Sequence, residues 1–126
     1  MSLKKEKNII APDKLKLYDN LIATNPNIER KGDTIPYTSV NGHMYTFLSN
    51  TGSLGIRLPK DERENFLKKF NATLCEAHGA IMKEYVSVPD ALLQNTNVLK
   101  RYFDLSYEYV KTLKPKPAKG SKQSGT

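Results

Sequence analysis

The sequence has no tryptophan, one cysteine and no long apolar run, and each scarcity excludes something. With Cys75 alone, no internal disulfide framework can form, which fits a reducing compartment and points to the cytoplasm. Apolar stretches are no longer than the Ile9 to Ala11 kind, whereas a bilayer-spanning helix needs about 20 such residues, so no membrane contact is expected. Met1 to Lys7 is charged and has no apolar core behind it, so no export signal is expected either. What remains is an ordinary globular composition, 38% hydrophobic and 26% charged over 126 residues, enough for one domain with its own core.

The net charge of +7 invites a nucleic-acid reading until its location is traced. Residues 1–7 contribute +2 and residues 111–126 contribute +5, while the 12 basic and 12 acidic side chains of residues 8–110 cancel. The folded part therefore has no net field to steer a polyanion. Lys111, Lys114, Lys116, Lys119 and Lys122 are able to neutralise phosphates as a salt-sensitive arm, although no stacking residues accompany them. The chain divides accordingly into a basic extension (1–11), a folded domain (12–113) and a basic Lys-Pro-Lys-Pro tail (114–126) that proline prevents from continuing a helix.

Within the domain, Pro12 and Asp13 open a helix whose Leu15, Leu17, Tyr18, Leu21 and Ile22 make one apolar side until Asn25-Pro26, giving helix 12–24. The period then becomes alternating. Asn41-Gly42 separates two extended runs, the strongest short hairpin signal, and Asn50 to Ser53 supplies a second turn, so residues 34–58 read as a three-stranded antiparallel meander. Its middle run puts Met44, Thr46 and Leu48 on one face and Tyr45 and Phe47 on the other. A helix over about 60–70 follows Pro59, with Asp61, Glu62 and Glu64 at its start. Residues 73–76 and 81–88 pair as a hairpin around Ala77-His78-Gly79, a helical turn follows Pro89, and Asn95 or Thr96 caps a last helix with a Val98, Leu99, Tyr102, Phe103, Ser106, Tyr109, Val110, Leu113 stripe. The fold class expected is α+β, an antiparallel sheet of a meander plus a hairpin packed with helices.

No constellation for catalysis, metal or cofactor emerges. Cys75-x-x-His78 has metal-like spacing, yet zinc needs three or four ligands and no second cluster exists; a lone strand cysteine reads as a small buried hydrophobe. Gly52-Ser53-Leu54-Gly55 lacks both the phosphate-loop lysine and the dinucleotide glycine spacing. Glu84, in Lys83-Glu84-Tyr85, either faces solvent or closes a cleft against Arg57 of the meander. Arg57, Lys83, Glu84 and Tyr85 are therefore the candidate interaction residues, for a protein partner or a second copy of the chain.

Three segments, Asn41-Gly42-His43-Met44, Leu54 to Leu58 and Tyr85 to Pro89, together with the element order over residues 12–113, resemble the N-terminal domain family of TfoX/Sxy competence regulators. Thr34 to Thr38 departs from that family's Met-Phe-Gly-Gly strand. The resemblance implies a fold similar to type III secretion chaperones and YjbR-like proteins, and a regulatory role exercised with other proteins rather than through an enzymatic site.

Overall fold

The computed structural model describes residues 11–32, 35–49, 52–77 and 79–115. In chain order the elements are α1 (Pro12–Ile22), β1 (Tyr37–Val40), β2 (His43–Leu48), β3 (Leu54–Arg57), α2 (Lys60–Lys69), β4 (Thr73–Ala77), β5 (Ala80–Val88), α3 (Asp90–Leu93) and α4 (Thr96–Lys111). Among the described residues five strands form one antiparallel sheet in the order β1-β2-β3-β5-β4, which is the meander joined through β3 to the hairpin, and four helices accompany it. The α+β class read from the sequence is thus the class of the fold. No helix of the described residues is long and apolar enough to cross a membrane.

Local chemistry sets the element boundaries. Asn41 and Gly42 both take positive φ, 57° and 80°, as the tight β1–β2 turn requires. α1 stops at Ile22 rather than residue 24 because the next turn tightens: Thr24 and Asn25 donate to the carbonyls three residues back, and Pro26 has no N–H to offer. α2 ends on Asn71, at φ 51°, with the Ala72 N–H donating back to the Leu67 carbonyl at 3.0 Å. Asn95 caps α4, its side chain accepting from the Val98 N–H at 3.3 Å.

The core lies between the sheet and the helices. α4 packs on β1, β2 and β3 and against α1, bringing Leu99, Tyr102, Phe103 and Val110 over Leu48, Leu54, Ile56 and Val86. Phe66, the one buried side chain of α2, meets Tyr102 edge-on at 5.0 Å between ring centroids. Two polar ties cross this layer without leaving an orphaned group: Ser106 Oγ donates to the Arg57 carbonyl, and the hydroxyls of Tyr18, Thr46 and Thr38 form a buried chain.

Strict alternation on β2 fails at one residue. Thr38 pairs with Thr46 but Ser39 pairs with Met44, so Tyr45 is an extra residue on β2. This bulge turns Tyr45 to the helix side together with Thr46, where it is buried against Phe103 and Tyr107 at centroid distances of 6.1 and 5.8 Å. Phe47, the other ring assigned to that face from the sequence, stays on the side that none of the described helices covers.

Candidate functional site

The face of the sheet opposite the helices carries side chains from four strands. Phe47 on β2 lies across Gly55 on β3, its partner in register. A Cβ at Gly55 would sit 2.5 Å from Phe47 Cε1 and 2.9 Å from Cys75 Sγ, so the ring and the thiol occupy the space a side chain would need. Tyr85 on β5 meets Phe47 edge-on at 5.8 Å, and its hydroxyl donates to the Met44 carbonyl at 2.7 Å. Burial pushes the Tyr85 hydroxyl above its ordinary pKa, against the opposing pull of the Arg57 guanidinium.

Arg57 and Glu84 form an ion pair, Nε to Oε1 at 2.7 Å. Register explains how these two meet. β4 pairs Leu74 with Val86 but Cys75 with Met82, so Lys83, Glu84 and Tyr85 have no partner on β4. They turn instead to β3, where Tyr85 pairs with Arg57 and the Leu58 N–H donates to the Glu84 carbonyl at 3.0 Å. Of the two options for Glu84, the pairing with Arg57 is the one realised, with Glu84 still 43% exposed. With the Arg57 side chain only 18% exposed, the pair sits at the rim of this face, its cation sheltered and its carboxylate reaching solvent. Lys83 is exposed and has no ion-pair partner among the described residues.

Beyond the Phe47 ring the same face hollows into a groove of about 580 Å³, lined by Phe47, Leu74, Cys75, Glu76, Ile81 and four hydroxyl residues, Ser49, Ser53, Thr73 and Ser87. None of Arg57, Lys83, Glu84 or Tyr85 lines it; Phe47 is the wall shared by the groove and the aromatic pair. Ile81 is 52% exposed, the larger exposure of the two large hydrophobic side chains at the surface of the described residues.

Cys75 at the groove floor is buried, and desolvation pushes its thiol up to about 11. It is therefore protonated at neutral pH and unsuited to nucleophilic attack. Alkylation of the native protein by iodoacetamide should be slower at pH 7.5 than that of a small thiol by about tenfold or more, and it should accelerate as the pH approaches 11. Rapid labelling at pH 7.5 under native conditions would contradict this burial. His78 lies outside the described residues, and His43 sits elsewhere, its Nε2 2.7 Å from the Lys114 carbonyl. Among the described residues no group of three or more His, Cys, Asp or Glu side chains is placed to hold a metal ion.

Of the five tail lysines, Lys116, Lys119 and Lys122 lie outside the described residues. The Lys111 amino group pairs with Glu108 at 3.3 Å and lies over the Tyr107 ring, while its carbonyl accepts from Asn41 Nδ2 at 3.0 Å. With His43 on the Lys114 carbonyl, the β1–β2 turn holds the root of the tail. α1 begins at the other end of β2, where Lys14 reaches Gly52 in the β2–β3 turn and pairs with Asp90 at 3.2 Å. Lys14 and Lys114 thus lie at opposite ends of the sheet.

This face, helix-free among the described residues, is the feature that composition did not announce. Gly55 amid alternating apolar residues was the available signal for a close approach, but only the register names Phe47 and Cys75 as the groups approaching. The chain matches no protein-family model, no curated protein and no solved structure.

Proposed function

We propose that this chain is a non-enzymatic interaction module that docks a protein partner on the helix-free face of its sheet and acts in a regulatory assembly in the cytoplasm. The observation that carries this reading is the composition of that face: an aromatic pair, Phe47 and Tyr85, a part-buried Arg57–Glu84 ion pair and an exposed Ile81 beside an open groove. Aromatic and arginine side chains are what protein interfaces enrich, and they supply much of the binding energy. The protonated, buried state of Cys75 supports the non-enzymatic part of the reading. The resemblance to the TfoX/Sxy N-terminal domains supports a regulatory role exercised through other proteins.

Ile81→Asp combined with Lys83→Glu changes two exposed side chains, one lining the groove and one next to Glu84 in the chain, and should leave stability within about 0.5 kcal/mol. Partner recovery on immobilised protein is expected to fall by about tenfold, corresponding to ~1.4 kcal/mol. Unchanged recovery with the double variant, or recovery of no partner and only monomer on size exclusion for the parent chain, would refute the proposal.

A further inference from the structure

The two edges of the sheet are treated differently. At β1, Lys31 bridges Tyr37, the two residues exchanging backbone hydrogen bonds of 2.7 and 2.9 Å, and the Lys31 amino group donates to Ser39 Oγ at 3.1 Å. That edge has a covering segment. At β4 the inner side pairs with β5, and among the described residues no other segment hydrogen-bonds to its backbone. β4 carries little of the usual guard of an exposed edge: Thr-Leu-Cys-Glu-Ala contains no proline and no lysine, its one charge is Glu76, and the extra residues of the β4–β5 irregularity belong to β5.

An unguarded edge offers a row of N–H and C=O groups to an incoming strand. Affinity then comes from the main chain, and specificity from pockets that receive alternate side chains. Such a pocket lies directly alongside: Thr73, Leu74, Cys75 and Glu76 of β4 all line the groove, together with Phe47 and Ile81. Its charge is one-sided. Among the described residues Glu76 is the only charged one of the lining, it is exposed, and it has no ion pair. The remaining polar groups are four neutral hydroxyls and a protonated thiol. A cationic side chain is complementary to this lining, and a carboxylate is repelled by it.

We propose that the β4 edge and the groove beside it take an extended peptide segment of the partner, added to the sheet next to β4, with an apolar side chain in the groove and a basic one at Glu76. This inference rests on the interaction reading above and names the kind of segment that the face receives. Folded-surface docking without strand addition, or pairing of β4 with a second copy, are the competing outcomes.

The test uses the full chain and a fluorescein-labelled synthetic peptide, Lys-Val-Thr-Val-Lys-Val-Thr, followed by anisotropy. Two control peptides carry glutamate in place of both lysines, or proline in place of the central valine so that one main-chain donor is lost. The lysine peptide should bind about tenfold tighter than either control, and Glu76→Lys should reverse the preference between the lysine and glutamate peptides. Amide hydrogen exchange of residues 73–76 should slow on adding the lysine peptide. Equal binding of the proline peptide, no binding of any peptide, or an unchanged preference in Glu76→Lys would overturn the proposal. So would slowed exchange at residues 73–76 that depends on protein concentration without peptide, which would assign the edge to a second copy. If the peptides fail while partner recovery still falls in the Ile81→Asp, Lys83→Glu variant, only the strand-addition proposal is lost; if both fail, the interaction reading falls with it.

Discussion

Gly55→Val is expected to destabilise the protein by about 1–3 kcal/mol, the range for forcing extra atoms into a filled site. The Cβ alone would approach Phe47 Cε1 to 2.5 Å, Phe47 Cζ to 2.8 Å and Cys75 Sγ to 2.9 Å. Backbone strain is not the cause, since the left-handed glycines among the described residues lie elsewhere, at Gly32, Gly42, Gly52 and Gly79. The cost arises because the ring must swing off β3, losing its edge contact with Tyr85 and opening the groove floor. Chemical denaturation of Gly55→Ala, Phe47→Leu and the double variant isolates this effect. The two substitutions should be less than additive by about 1 kcal/mol, because the smaller side chain makes room for the new methyl. Strict additivity would mean that the ring does not lie on Gly55.

Thr46→Val should cost about 1–3 kcal/mol by a different route. Thr46 is fully buried, and its hydroxyl lies 2.8 Å from that of Tyr18 and against that of Thr38. Valine keeps the shape and breaks the middle of the chain, leaving buried hydroxyls short of partners. Removing the other partner as well, in Tyr18→Phe with Thr46→Val, should recover part of the loss, since an apolar pair of similar shape has nothing to desolvate. Equal stability of the single and double variants would contradict this account of the network.

The same burial fixes the alkaline limit. Desolvation raises the hydroxyls of Tyr18 and Tyr45 above the ordinary 10.0, Tyr45 to about 12, and raises the Cys75 thiol from 9.0 to about 11. Each folded-state value exceeds the unfolded one, so the unfolded chain releases these protons first. Stability is therefore fully present below pH 9 and declines from there toward pH 12. Denaturation midpoints measured from pH 8 to 12 are expected to fall across that window; a flat profile would place these groups in solvent.

Much of the fold was legible because its signals are local. Asn41-Gly42 carries its own turn geometry, Asn95 its own cap, and the α4 stripe from Leu99 to Val110 repeats at helical spacing. The side-chain faces of β2 were not, because the bulge at Tyr45 comes from its pairing with β1 and no property of Tyr45 itself encodes it. The candidate site shows the same division. Arg57 and Glu84 were named from charge and position, and they do meet. Yet the reason they meet, three residues of β5 stepping past β4, is a register that only the assembled sheet defines. The groove is less legible still: it is lined from β2, the β2–β3 connection, β4 and β5, segments that run together only after folding.

The most direct test of the helix-free face as the docking surface is site-specific photocrosslinking in cells, with a benzophenone amino acid placed at Ile81 on that face or at Arg101 on the exposed side of α4. Defined adducts from position 81 and none from position 101 are the predicted result; adducts from position 101 alone, or none from either, would contradict it.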